Sequence, residues 1–337
     1  MDRVDPAIVD GTVEDFLKVL QGPTAFFLQG MQQDRCRAMV TLLHGNEPSG
    51  VKALQRWLRS GATPVVNVVC IVASIEAALL APSFSHRVAP GKRDLNRCFR
   101  APFDDSQGEV AEQILEVLTN AKPEAVVDIH NTSGSGPGFG VAVSSDEQHQ
   151  ALVSLFSDVL VTNDLRIGAL MEIADHLCPT ATIECGGRMD READELAWRG
   201  LQAFMNMPEI FSRGAGGVDV KIVQNPVRLE LAADCSLAYA NGRSANYDLV
   251  LLPGIERLNY GAVAEATHLG WVGERGQDIF RAVDHDGNSI VDELITIDGD
   301  ELYTARALKL FMVTNDPQIA KMDCLLYAAR EDGQAFL

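Results

Sequence analysis

Residues 38–50 read AMVTLLHGNEPSG. The apolar run 38–43 predicts a buried strand. Residues 51–59 follow as a predicted helix, with Pro48 suited to its first turn. A strand that turns straight into a helix is the opening of an α/β unit. The same alternation continues outward. Residues 65–73 are rich in Val and Ile and predict a second strand. Residues 109–120 carry apolar side chains at helical spacing. Residues 125–129 and 181–183 predict further strands, and 192–205 a closing helix. The fold class is therefore α/β, with a mixed or mostly parallel sheet flanked by helices.

The pattern changes near residue 213. Gly214, Gly216 and Gly217 predict a linker. Beyond it, short apolar runs at 218–223, 229–232, 249–252, 279–283, 308–313 and 324–329 are separated by turn signals such as Asn241-Gly242 and Asp298-Gly299. This predicts a smaller, mainly β domain over 213–337 after an α/β domain over 1–212.

Composition narrows the function. The 337 residues carry a net charge of -19, which argues against a nucleic-acid partner, since phosphates need a basic face. It argues equally against docking on anionic lipid. The apolar stretch 65–82 is interrupted by Asn67, Ser74 and Glu76 and is not a membrane span. The seven cysteines are scattered and form no C-x-x-C pair, so a cysteine zinc site is not expected and a reducing compartment is. With no signal-like N-terminus, the expected location is the cytoplasm. A homo-oligomer is left open.

Four segments carry chemistry. His44 and Glu47 stand three apart where the first strand meets its helix, and such a turn can aim an imidazole and a carboxylate at one cation. The ordinary alternative is a glutamate favoured by the helix dipole beside an incidental histidine. His130, in AVVDIHNTSG, stands past the end of a similar strand, at the edge where α/β enzymes place their sites. His44, Glu47 and His130 would leave the fourth position of a tetrahedral zinc open, and Asp128 could orient an imidazole. A histidine bonded to a backbone carbonyl is the alternative for His130. Glu184, in TATIECGG, would reach the same edge as a proton-transfer group, or would pair with an arginine such as Arg188. In HRVAPGKRDLNRCF, Asn96 and Arg97 can hold a carboxylate, and Arg87 can face an oxyanion. A basic surface loop made by Arg87, Lys92, Arg93, Arg97 and Arg100 is the alternative there.

Taken in order, H-G-N-E-x-x-G, R-D-L-N-R-C-F, D-I-H-N-T and I-E-C-G are similar to the succinylglutamate desuccinylase/aspartoacylase family, within the wider zinc carboxypeptidase-like group. The motifs lie between residue 38 and about 190, and the two-domain layout extends the resemblance loosely to the whole chain. The resemblance implies an amidohydrolase that cleaves an N-acyl amino acid with one zinc (Zn2+) per chain. Carried over, His44, Glu47 and His130 match the metal ligands, and Glu184 matches the general base. Asn96 and Arg97 match the binders of the substrate carboxylate. Arg87 matches the carbonyl-polarising arginine, at a longer spacing to D-L-N-R than the family's. Asn131-Thr132 after His130 is closer to the aspartoacylase branch, whereas GSGPGFG fits neither branch. Arg166 and Tyr303 are candidates for gripping an acidic acyl group, whose identity stays open.

Three other readings compete. A zinc carboxypeptidase acting on peptides would keep the site and change the substrate. A non-catalytic zinc- or ligand-binding protein would have no need of Glu184. Asp284-His285-Asp286-Gly287-Asn288 opens like a calcium loop, but Ser289 and Ile295 stand where Gly and Glu are required, so a hairpin turn is expected.

Overall fold

The apolar runs predicted as strands lie in an eight-stranded mixed sheet. The structure, a computed structural model, describes residues 9–132, 134–164, 166–212, 219–260, 262–284, 287–322, 324–331 and 336. Two units make up the chain, Met1–Asn131 with Gly138–Lys221, and Thr132–Pro137 with Ile222–Leu337. In chain order the strands of the first sheet are β1 (Thr24–Leu28), β2 (Gln32–Thr41), β3 (Val66–Val72), β4 (Val126–Thr132), β5 (Phe139–Ala142), β6 (Val159–Thr162), β7 (Thr180–Gly187) and β8 (Lys221–Gln224). Their spatial order is β1-β3-β2-β4-β7-β5-β6-β8. β2 runs parallel to β3 and β4, and β5 to β6. β1 is antiparallel to β3 and β5 to β7, so the sheet is mixed.

Alternate residues of each strand feed two cores. Met39, Val68, Cys70, Val72, Val127 and Ile129 face one side. There they meet Phe16 and Leu17 of α1 (Val13–Leu20), Leu54 and Trp57 of α2 (Ser49–Ser60), and Leu201 and Phe204 of the closing helix (Arg191–Asn206). Ala38, Val40, Val69, Ile71 and Val126 face the other side, against Ala111, Ile114 and Leu118 of the helix Ser106–Ala121. A fully buried Leu such as Leu54 stabilises by roughly 2–5 kcal/mol over Ala. Arg37 is fully buried. It donates to Glu124 Oε1 at 2.7 Å and to the carbonyls of Phe204 at 2.6 Å and Pro208 at 3.2 Å. These bonds satisfy a charge that would be costly unpaired, and they tie β2 to the end of the closing helix.

The strands run further than the apolar runs alone predict. His130 lies inside β4 and Glu184 inside β7, rather than past their ends, and all residues of both strands are buried. Pro48 is the N-cap of α2 rather than a first-turn residue.

The second unit has two five-stranded sheets. One has the order Leu237–Tyr239, Leu249–Leu251, His268–Val272, Glu301–Thr304, Ile295–Asp298. The other has the order Ala262–Val263, Leu308–Phe311, Leu326–Arg330, Val227–Leu231, Phe280–Arg281. Asp298 pairs with Glu301 across Gly299, whose φ of +63° suits the turn that Asp298-Gly299 predicts. The predicted strand at 279–283 is instead a 3-10 turn, Gly276–Ile279, followed by the short strand Phe280–Arg281. Gly214, Gly216 and Gly217 lie outside the described residues, as do His285 and Asp286. Asp284 accepts from both the main-chain and side-chain N–H of Asn288, and Val283 bridges Ser289 antiparallel, as in a hairpin turn.

Candidate metal centre and active site

The site is built where β2 turns into α2. Leu42, fully buried, adopts a φ of +60°, a left-handed conformation that costs a branched residue about 1 kcal/mol or more. It redirects the chain so that His44 and Glu47 face the sheet edge. Gly50 completes the turn: a Cβ there would lie 2.1 Å from Thr41 Oγ1 and 2.9 Å from Ile129 Cβ. Only glycine lets the helix start this close to β2 and β4. Pro48 offers α2 no side-chain cap. Asn131 supplies one from β4, its Oδ1 accepting from Ser49 N–H at 3.0 Å.

His44, Glu47 and His130 converge, with one ligand atom of each within 4.8 Å of the others. Glu47 stands between the imidazoles. Its Oε1 is 2.9 Å from His44 Nδ1, and its Oε2 is 2.7 Å from His130 Nδ1. The rings meet edge to face, their centroids 5.0 Å apart. Each imidazole is held from behind through its other nitrogen. His44 Nε2 lies 2.9 Å from Asp94 Oδ1, and His130 Nε2 lies 2.6 Å from Asp128 Oδ2. This turns both Nδ1 atoms toward one point, the arrangement in which outer carboxylates orient metal-binding imidazoles. Of the two readings of His130, the structure shows the Asp128 contact; its other ring nitrogen meets Glu47 rather than a backbone carbonyl.

The electrostatics favour positive charge in this cluster. Burial and Arg87 push the His44 imidazole down, yet Glu47 and Asp94 more than offset them and raise it. Burial also lowers His130, and Asp128 with Glu47 raises it well above its ordinary value. Burial alone would raise Glu47, but the two imidazoles hold its carboxyl well below the usual range. Two imidazoles and one carboxylate, with each imidazole held by an outer aspartate, are a donor set that suits a divalent cation. The residues present therefore fit a metal.

Arg87 reaches the same cluster. Its guanidinium donates to Asp94 Oδ2 through Nη2 at 3.0 Å and through Nε at 3.2 Å, and to Glu47 Oε1 through Nη1 at 3.5 Å. The basic loop thus divides by role. Lys92 pairs with Glu76 and Arg93 with Asp105 on the surface, while Arg87 turns inward. Asn96 is buried on the 3-10 turn Leu95–Arg97, and its Oδ1 accepts from Leu170 N–H at 2.9 Å. That bond orients its amide N–H groups away from Leu170. Arg97 donates through Nη1 to Asn96 O at 2.8 Å.

Glu184 is buried, and its Oε2 has no hydrogen-bond partner among the described residues. Burial, joined by Glu47, raises its carboxyl to about 7 against the opposing pull of His130, His44 and Arg87. It does not pair with Arg188, which donates to Phe84 O. The remaining candidates are committed to neighbours. Arg166 forks onto Asp175 at 2.9 Å and 3.1 Å, and the Tyr303 hydroxyl donates to Glu301.

Two residues were missed at the sequence level. Asp94 holds both His44 and Arg87. Asn131 joins three elements, its Nδ2 donating to Ser49 Oγ at 2.8 Å and to Gly186 O at 2.9 Å. The D-L-N-R motif contains Asp94 and could have pointed to it. Asp94→Asn should weaken metal binding about 10–100-fold with the fold kept. Competition against a chromogenic chelator measures this, and unchanged affinity would count against the role given to Asp94.

Residues 38–197 match the sequence model of the succinylglutamate desuccinylase/aspartoacylase catalytic domain. The fold is shared with solved structures at low identity. A succinylglutamate desuccinylase/aspartoacylase from Rhodobacter sphaeroides is 17% identical with a TM-score of 0.52, over 86% of this chain and 82% of that one. The ectoine utilization protein of Ruegeria pomeroyi, solved with product bound, is 16% identical with a TM-score of 0.54, over 86% and 82%. Murine aminoacylase 3 is 17% identical with a TM-score of 0.53, over 88% and 95%. No curated protein sequence matches the chain. No described helix is long and apolar enough to cross a membrane.

Proposed function

We propose that this chain is a zinc-dependent amidohydrolase that releases the amino acid from an N-acyl amino acid. The observation that carries the reading is the convergence of His44, Glu47 and His130 beside Glu184, a buried carboxylate with an unpartnered oxygen. The family match over residues 38–197 supports it. His44 Nδ1, Glu47 and His130 Nδ1 would hold the metal. A bound zinc supplies Lewis acidity and lowers the pKa of a water to about 7.

The other steps fall to the protein. Glu184 takes a proton from the attacking water as the C–O bond forms at the amide carbonyl. Arg87 faces the oxyanion that develops there. Glu184 then returns the proton to the amine as the C–N bond breaks. The amide N–H groups of Asn96 and the guanidinium of Arg97 hold the substrate carboxylate and set its register. A reducing, cytoplasmic setting suits the seven free thiols.

The test is amine release from a panel of acetyl, succinyl and formyl derivatives of acidic, basic and neutral amino acids, with peptides alongside. Turnover of one or a few acyl amino acids, with peptides untouched, is expected. C-terminal trimming of the peptides instead would make the protein a carboxypeptidase.

The pH profile follows from Glu184. Its carboxyl, pushed up to about 7 by burial, acts only when ionised, so activity is present above its pKa and lost below it. A bound cation lowers that pKa further. The acid limb of kcat/KM should therefore be centred between about 5 and 7 and fall tenfold per pH unit below it. A limb centred above 7 would contradict Glu184 as the base.

A further inference from the structure

Among the described residues, the first sheet has one protected edge and one edge with no neighbouring strand. At the protected end, Lys221, where β8 begins, pairs with Asp158 at 3.1 Å, placing charge on the edge. At the other end lies β1, Thr24–Leu28, bonded on one side only, to β3. Its register with β3 is continuous over five residues, without the shift recorded between β2 and β3. Natural edge strands are blunted by charge, proline or a bulge, and β1 has none of these within it. Residues 19–33 (VLQGPTAFFLQGMQQ) contain no Asp, Glu, Lys, Arg or His, in a chain of net charge -19 that is 22% charged.

Exposed apolar side chains gather on the same segment. Val19, Phe27 and Met31 are 51%, 42% and 67% exposed, and they are three of the six exposed large hydrophobics among the described residues. The other three, Met189, Tyr247 and Val283, are far apart in the chain. Phe26, on the opposite face of β1, stacks on Phe16 of α1 at 6.2 Å and fixes the strand in place.

We propose that the β1 edge pairs with β1 of a second copy of this chain, joining two eight-stranded sheets across a two-fold axis. An antiparallel self-pairing centred on Phe26 sets Ala25 of each copy opposite Phe27 of the other. Small therefore meets large on the exposed face, and no like charges are opposed. The occupant is a second copy because an uncharged edge lets two strongly acidic chains meet where neither carries charge. A five-residue strand with flanking apolar side chains buries an area at the low end for stable complexes, below about 1,200 Å². Such an interface is in the size class of weak, reversible association. Since the rest of each copy repels the other, added salt strengthens the dimer, the reverse of an interface built on ion pairs.

Sedimentation velocity across concentration, at low and high salt, tests this on the full chain. Ala25→Lys and Phe27→Lys are compared with Val283→Lys, which places the same charge on an exposed apolar site elsewhere. The wild type and the Val283 variant should dimerise, more tightly in high salt. The two β1 variants should dissociate at least ~10-fold more readily, with unchanged melting temperature and unchanged turnover. Amide exchange at residues 24–28 should slow as concentration rises in the wild type alone. A wild type that stays monomeric throughout overturns the proposal. A dimer that survives both lysines, or that leaves the 24–28 amides unprotected, also overturns it.

Discussion

Glu184→Gln should keep its metal and lose about 10³–10⁴-fold in turnover. Glutamine has nearly the same shape, so the buried slot in β7 stays filled. It cannot take a proton from water or return one to an amine. The ionised Glu184 is also a cost to the fold. Its folded pKa is pushed up to about 7, so above the ordinary carboxylate range the charge destabilises, and removing it should not lower the melting temperature. Lost activity with stability kept would mark a group retained for chemistry. Retained activity would exclude Glu184 as the base.

The second large effect is expected at His44. His44→Ala removes one of three ligand atoms and should abolish stoichiometric zinc binding, and turnover with it. Its outer partner tolerates the loss, because Asp94 keeps two bonds from Arg87, at 3.0 Å and 3.2 Å. The fold should survive, and the change should be read in metal content by atomic emission. His130→Ala is a poorer test. Asp128 is fully buried and would be left with an uncompensated charge, a loss of about 3–5 kcal/mol. Full zinc content in His44→Ala would remove His44 from the ligand set.

The parts of the fold that the sequence reveals are those with a strong local signal. β2, β3, β4 and β7 each contain a short apolar run, because both faces of the sheet are covered. Glu47 follows His44 by three residues in the turn before α2, so that pair is visible without knowing the fold. Contacts fixed only by register were hidden. Asp94 is fifty residues from His44, and although the D-L-N-R motif singles it out, the motif does not say which imidazole it meets. Asn131 caps a helix that begins 82 residues earlier. Short elements were hidden as well. β1 is an edge strand between Gly22 and Gly30, and β5 begins inside a glycine-rich run. In the second unit, Leu237–Tyr239 and His268–Val272 alternate only partly between buried and exposed, which leaves too weak a pattern to separate from loop.

Metal-dependent amide hydrolysis is the central claim, and a titration tests it most directly. Protein stripped with a chelator would be supplied with zinc in steps, while bound zinc and amine release from the responsive N-acyl amino acid are followed together. Activity should be absent at the start, rise in proportion to bound metal and level off at one zinc per chain. Turnover that persists in stripped protein, or zinc that binds without bringing turnover from any acyl amino acid or peptide, would contradict the account.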